Sequence, residues 1–353
     1  FGTFLHPFEY GAGRYTSVSV SNFTKDVIFK DLDIVPLVNN YDDTKQEPKH
    51  FLPIVPISLI NPVSGIAVGF ACNILPRSLK DIIISQINYL KGKKVYDSIP
   101  YIKPYDQTAV DCITDTLSGN IKWVFSGKVK KQNDTTVQVT NLPYGQTYGK
   151  FIDRLESLEE DGTIISFIDA SKEHIDVLVK FPKGVLAEKT EDDIIKTLKL
   201  TNSESENFNV IDFDGDSVVQ TSFVDCVSRF TEWRLQWYIN RYENLLNILQ
   251  QDIQKYKDIL LAIKNNIGSI ARKIDNRSEL VNFITEIGIV NVDYIASLPV
   301  YRFTIEEKKK TETKLADALE TEKHYLNVLS DEVLRKEIYI TELQEIQSKY
   351  CKK

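Results

Sequence analysis

The sequence has 353 residues with 43 Lys+Arg against 50 Asp+Glu, a formal net charge of −7, which excludes a chain that coats nucleic acid by bulk charge alone. Hydrophobic residues make up 42% and charged residues 26%, too apolar for general disorder. No stretch approaches the ~20 uninterrupted apolar residues of a membrane-spanning helix.

At ~150 residues per domain the length implies two or three domains. The four cysteines, Cys72, Cys112, Cys226 and Cys351, are scattered, so neither a structural zinc site nor a disulfide framework is expected and a reducing compartment is the default. The chain opens on Phe1 with no signal-peptide pattern, which reads as a fragment or a processed chain. Residues 1–100 carry 10 Lys+Arg against 9 Asp+Glu, leaving 33 against 41 in the remainder. The first hundred residues are therefore the least acidic part.

In that part Pro48, Pro53, Pro56 and Pro62 punctuate extended or turn segments. Ser64–Asn73 is a run of small residues that fits neither an amphipathic helix nor an alternating strand, and Ser78–Leu90 reads as a helix. Residues 100–216 read as mixed α and β. Ile121–Phe125, Thr136–Thr140, Thr163–Ile168 and Ile175–Phe181 are strand-like, and Phe151–Glu159 and Glu191–Leu200 helix-like. Residues 183–216 hold 4 basic against 9 acidic residues, and the polar stretch Asn202–Asp216 is expected to be a solvated loop.

Glycine and proline then disappear. Eleven of twelve prolines fall at or before Pro182, and neither breaker occurs from Asp216 to Ile267 or from Val300 onward. Two long helices are implied. Tyr238, Tyr242, Leu245, Leu249, Ile253, Tyr256, Leu260 and Ile263 form one apolar seam. Leu315, Leu319, Leu326, Leu329, Val333, Ile340, Leu343, Ile346 and Tyr350 form another. Residues 265–301, with Gly268, Gly288 and Pro299, read as a small globule at the far end of an antiparallel coiled coil.

Chemistry-bearing motifs are few. There is no phosphate loop of the GxxxxGK[ST] type and no HExxH zinc motif. Asp212-Phe213-Asp214-Gly215-Asp216 alternates carboxylates but lacks the terminal Glu of a calcium loop, and reads as a polar turn. The segment Gly11-Ala12-Gly13-Arg14-Tyr15-Thr16 is more suggestive. A tyrosine oxygen can attack a phosphodiester and conserve its bond energy in a covalent intermediate. An adjacent arginine can stabilise the charge developing on phosphoryl oxygens, and small residues let a nucleic-acid backbone come close. The Arg-Tyr pair on its own is usually an ordinary surface or half-buried tyrosine.

Its context narrows the reading. Downstream lie Val38-Asn39-Asn40-Tyr41-Asp42-Asp43-Thr44, then Ser64-Gly65-Ile66-Ala67-Val68-Gly69 and Ala71-Cys72-Asn73-Ile74-Leu75-Pro76. In that order the segments resemble the A-A-x-R-Y-T, D-N-Y-D-G-T and S-G-I-A-V-G-x-A-T-N-I-P-P motifs of the breakage–reunion subunit of type IIA DNA topoisomerases, the gyrase A class. Phe1-Gly2-Thr3 resembles the family's G-x-F-G-[ST], Leu142-Pro143-Tyr144 its E-L-P-Y, and Leu298–Thr304 its L-R-L-x-x-L-T. Length and divergence are similar to the T-even phage members, truncated at the N-terminus. Cys72 replaces Thr, and Leu75 and Arg77 replace Pro and His of the family pattern.

The resemblance implies a multidomain α+β fold. Residues 1–60 would be the C-terminal part of a winged-helix domain carrying the catalytic tyrosine, and 61–216 a mixed α/β tower domain. Residues 217–264 and 302–353 would form a long antiparallel coiled coil, and 265–301 a small helical dimer gate. Tyr15 would become joined to the 5′ phosphate of a cleaved strand, assisted by Arg14. Ile66 would wedge between base pairs, and Asn73, Arg77, Lys80, Lys93 and Lys94 would contact phosphates. No general base stands out, since His6 reads as a loop histidine. Mg²⁺ and ATP would be bound by partner subunits, with double-stranded DNA as substrate and a homodimer joined through the gate. A cytoplasmic location is implied, the host's if the chain is phage-encoded. Two rivals stay open on the residues alone: a non-enzymatic coiled-coil DNA-organising protein, and a tyrosine recombinase or nicking enzyme, whose tyrosine usually lies late in the chain.

Overall fold

A computed structural model describes residues 5, 11–102, 107–114, 121–212 and 215–351. Phe1-Gly2-Thr3, His6, Phe213 and Asp214 lie outside the described residues. In chain order, β1 (Leu37–Asn39) pairs with β2 (Gln46–Pro48), and β3 (Val63–Ala67) with β4 (Phe70–Ile74). Helix α1 (Leu79–Leu90) is N-capped by Ser78, whose hydroxyl accepts the Asp81 N–H. There follow β5 (Tyr101–Ile102), β6 (Gln107–Thr108), β7 (Asp111–Thr114), β8 (Ile121–Ser126), β9 (Lys128–Lys131) and β10 (Thr136–Asn141). Then come α2 (Tyr148–Glu160), β11 (Ser166–Asp169), β12 (Val177–Lys180), α3 (Glu191–Thr197), β13 (Thr201–Glu206), β14 (Asn209–Ile211) and β15 (Val218–Gln220). The helices α4 (Phe223–Lys264), α5 (Ile267–Ile270), α6 (Arg277–Glu286), α7 (Val292–Ala296), α8 (Ile305–Ser330) and α9 (Glu332–Tyr350) complete the order. No helix among the described residues is long and apolar enough to cross a membrane.

The chain divides into two units. The first comprises the described residues up to Val27, Pro53–Thr231, and those from Leu343 on. Its larger sheet, in the order β11-β12-β10-β9, is antiparallel. Val137 and Val139 of β10 and Val177 and Val179 of β12 alternate inward onto Phe151, Leu155 and Leu158 of α2. That period-two pattern against a helical stripe is what made these elements readable. A second sheet, β13-β8-β7, turns Trp123 and Phe125 of β8 into a core with Leu75 and Ile102. Gly127 joins the two sheets where a Cβ would lie 2.6 Å from the Asn141 carbonyl oxygen, an approach that only glycine permits.

Two expectations for this unit fail. Asn202–Asp216 is not simply a solvated loop, because Thr201–Glu206 pairs along β8 in six-residue register and Asn209–Ile211 pairs with β15. Acidic side chains mislead there, since strand pairing uses the backbone, and Glu206 at the end of β13 is buried. The small-residue run Ser64–Asn73 is a β-hairpin with a turn at Val68-Gly69, Gly69 having φ +82°. Its residues up to Phe70 are exposed on both faces, so no burial pattern was needed to encode it.

The second unit comprises Ile28–Leu52 and Glu232–Glu342. Here α4 runs antiparallel to the return arm: the Tyr238 ring meets Tyr339 at 5.1 Å, Tyr242 meets Tyr325 at 5.4 Å, and Gln250 donates to Glu322 at 3.1 Å. The return arm is not one helix. Asp331 takes an extended backbone between α8 and α9 and accepts the Val333 N–H with its side chain. The arm's expected seam holds at Leu343 and Ile346, which are buried, but not earlier along it. Leu319, Leu326 and Val333 are exposed, whereas Thr311, Ala318, Val328 and Tyr339 are buried. Thr311 and Ala318, one heptad apart, are small enough to let the arms approach.

The segment carrying β1 and β2 is held to α4 by buried charge. Asp31 accepts from both Arg234 and Arg241, and Glu342 accepts from Arg241 at 2.7 Å, Lys30 at 3.0 Å and the Tyr238 hydroxyl at 2.6 Å. At the other end of α4, Ile259 and Ala262 pack with Ile267, Ile284, Ile289 and Ile295. The buried Asp258 carboxylate fastens this core by accepting from Asn291 N–H at 2.8 Å and from its side chain at 2.7 Å.

Candidate active site

Gly13–Tyr15 forms a single 3-10 turn. Its hydrogen bonds are local, Tyr15 N–H to Ala12 at 2.9 Å and the Thr16 hydroxyl to the Gly13 carbonyl at 3.0 Å. A Cβ added at Gly11 or Gly13 would meet nothing within 4 Å, so the backbone on this side is open to a bulky ligand. Tyr15 is 79% exposed, and the Arg14 guanidinium lies over its ring, 5.0 Å from the centroid. The chain stays exposed as far as Asn22. It becomes anchored where Phe23 stacks edge-on against Tyr350 and Asp26 accepts from Tyr350 and Lys349.

Ile66 stands on β3, 94% exposed. Its cross-strand partner is Ala71 and its neighbours along the strand are Gly65 and Ala67, so small residues lie beside the isoleucine. Lys80, on the first turn of α1, is exposed, as are Lys93 and Lys94 beyond its C-terminus. A twelve-residue helix separates them by ~18 Å, enough to reach different phosphates.

Two of the residues expected to meet phosphate do not present themselves to it. The Arg77 side chain is 0% exposed and makes a bidentate pair with Glu206, 1% exposed, at 2.5 and 2.9 Å. Asn73 gives its amide to the Ser205 carbonyl at 2.5 Å and exchanges backbone bonds with Asn207. Desolvating a guanidinium this fully requires a carboxylate, and Glu206 supplies it. Sequence reading missed Glu206 because it sat in an apparent acidic loop. The signal was its position, two residues on from Glu204 on a strand whose neighbour β8 carries Trp123 inward.

Burial pushes the Cys72 thiol up, and pushes that of Cys226 up to about 11, so neither is held as a thiolate. Among the described residues no group of three or more His, Cys, Asp or Glu side chains could hold a metal ion. Asp212, from the alternating acidic run, is instead paired with Arg229.

The tyrosine with an arginine over its ring and the isoleucine of the hairpin are thus both exposed. The sequence matches the family of DNA gyrase/topoisomerase IV A-type subunits over residues 1–344. It is 28% identical over 309 residues to the DNA topoisomerase medium subunit of Enterobacteria phage T4, covering 85% of this chain and 67% of that protein. Identity to DNA topoisomerase 2 of Plasmodium falciparum is 23% over 354 residues, covering 88% of this chain and 25% of that protein. For DNA topoisomerase 2-alpha of Rattus norvegicus it is 29% over 294 residues, 80% and 18%. The chain therefore spans a quarter or less of the length of these two eukaryotic relatives. The fold superposes with a TM-score of 0.73 and 19% identity on the Plasmodium falciparum topoisomerase II DNA-binding, cleavage and re-ligation domain, covering 97% of this chain and 51% of that one. With a match that runs through almost its whole length, this chain belongs to the DNA gyrase/topoisomerase IV family of A-type subunits.

Proposed function

We propose that this chain is the DNA breakage–reunion subunit of an ATP-dependent type IIA topoisomerase. The observation that carries the reading is Tyr15, solvent-facing on an open glycine-flanked turn with Arg14 against it. The phenolic oxygen attacks a backbone phosphorus. An O–P bond forms as the P–O3′ bond breaks, the phenol gives up its proton, the departing 3′ oxygen takes one, and the strand's 5′ phosphate stays on Tyr15. Arg14 offsets negative charge on the phosphoryl oxygens in the transition state. Because the new ester keeps the energy of the old one, the reverse attack by the 3′ hydroxyl reseals the strand after a second duplex has passed.

Ile66 acts as the wedge. An apolar side chain inserted between base pairs costs unstacking energy and returns a bent duplex that touches more protein. Lys80, Lys93 and Lys94 supply phosphate contacts. Residues 1–60 are assigned to the winged-helix domain, 61–216 to the tower, 217–264 with 302–353 to the coiled coil, and 265–301 to the dimer gate. The described residues do not fit a metal ion, and Mg²⁺ and ATP are assigned to partner subunits.

The test uses the complete protein with its partner subunits, Mg²⁺ and end-labelled duplex DNA. The expected product is a covalent adduct on the 5′ side of the break, mapped to Tyr15 by peptide sequencing. Attachment at the 3′ end, or at another residue, would overturn the assignment, and absence of any adduct would favour a non-enzymatic DNA-organising role.

A further inference from the structure

The hairpin β3–β4 is a two-stranded sheet, and such a hairpin has little rigidity of its own. A wedge that must part stacked bases needs a stiff root, because the duplex pushes back with the force it receives. The root is built at Asn73–Arg77. Glu206 is its hub, accepting four hydrogen bonds: from Leu75 N–H at 2.9 Å, from two Arg77 nitrogens at 2.5 and 2.9 Å, and from Trp123 Nε1 at 2.8 Å. Arg77 in turn donates to the carbonyls of Ser98 at 2.8 Å and Leu75 at 2.8 Å. Its guanidinium is ringed by Trp123, Phe208 and Phe223 at 5.7, 5.8 and 5.3 Å. The amide of Asn209 reaches the Ala71 carbonyl at 2.6 Å, near the turn end of the second strand of the hairpin.

Buried ion pairs add little net stability over apolar packing of the same volume. What a bidentate pair adds is direction, since its two parallel hydrogen bonds fix both partners in one plane. We propose that Glu206 and Arg77 are positioning residues for DNA bending: their buried pair holds the hairpin root so that Ile66 opens the base stack instead of being deflected by it. The inference rests on the reading of Ile66 as the wedge, and it assigns Arg77 a role beneath the hairpin rather than on the DNA.

The test is a double-mutant cycle in the complete protein with its partner subunits, reading bend angle by fluorescence transfer across a doubly labelled duplex, with binding affinity measured alongside at fixed salt. Glu206→Gln keeps the shape and the Leu75 contact but points an amide N–H at Arg77 and Trp123. It should lower the bent population by about tenfold, a factor worth ~1.4 kcal/mol, with affinity unchanged and with no further loss when Ile66→Ala is already present. An effect that simply adds to that of Ile66→Ala, or none at all, would overturn the positioning role while leaving the wedge intact. Normal bending by Ile66→Ala alone would overturn the wedge reading and the inference with it. If Glu206→Gln does not fold, Arg77→Lys keeps the charge, loses the planar fork, and runs the same cycle with the same expected coupling.

Discussion

Removing the Tyr15 hydroxyl should separate chemistry from binding. In the complete complex Tyr15→Phe is expected to abolish the covalent adduct while a gel-shift titration stays at the wild-type affinity, because phosphate contacts dominate affinity and the lost oxygen makes only the reacting bond. Arg77 behaves in the opposite way. Arg77→Ala would strand the Glu206 carboxylate in the interior, a change worth about 3–5 kcal/mol in buried pairs. It should therefore lower the melting temperature rather than the salt dependence of DNA binding. Tyr15 stands out as a candidate nucleophile only with the downstream Gly-Ile-Ala-Val-Gly run beside Arg14-Tyr15. The burial of Arg77 was not legible, because its partner lies 129 residues away and nothing local marks a guanidinium as paired. Glu342 gives a pH test. Burial pushes its carboxyl up, but Arg241 and Lys30, with the Tyr238 hydroxyl, outweigh that and hold it below the usual glutamate range. A lowered folded-state pKa means the stabilisation is complete above the unfolded value of about 4.3 and is lost as pH falls through the folded one. Melting temperature should drop over that acid limb, and Glu342→Gln, which does not titrate, should flatten it.

Among the elements, those with a buried face were readable and those without one were not. Helix α1 starts one residue after the expected Ser78, which turns out to be its cap; β10 runs one residue past the strand expected from β-branched alternation, and β12 falls within its own. The hairpin β3–β4 escaped because it buries almost nothing, and β13 because its side chains look like a loop's. The return arm was misread in a third way: leucines at plausible spacing drew the seam away from Thr311 and Ala318. Gly69 shows what an unburied element depends on. At φ +82° with open space around its Cβ position, Gly69→Ala meets no clash and carries only the left-handed backbone penalty, ~1–2 kcal/mol. The expected outcome is faster amide exchange across Val63–Phe70 with an almost unchanged melting temperature. Slow exchange retained there would show that the turn does not set the hairpin's stability.

For the whole molecule, association is the property most open to test. The second unit leaves Val290, Val300, Tyr301 and Ile305 exposed, while Ile267, Ile284, Ile289 and Ile295 are already satisfied inside. Apolar residues left outside a filled core are the natural material of a contact between copies, and a two-fold dimer is the simplest closed arrangement. Sedimentation equilibrium at micromolar concentration should give twice the 40.5 kDa chain mass. Val300→Glu with Tyr301→Glu should return it to the monomer. A wild-type chain that sediments as a monomer would refute the gate assignment.

The root of the hairpin is closed by residues far along the chain, 131 positions separating Leu75 from Glu206, and 132 separating Asn73 from Ser205. Asp26 waits longer still, for Tyr350, 324 positions on. Closing such loops is slow, and during synthesis at about 5–20 residues per second Ile66 leaves the ribosome on the order of ten seconds before Glu206 exists. The exposed turn at Tyr15 and the exposed hairpin tip are thus made well before the buried pair beneath them, and the hairpin root is set only when the later sequence has folded back.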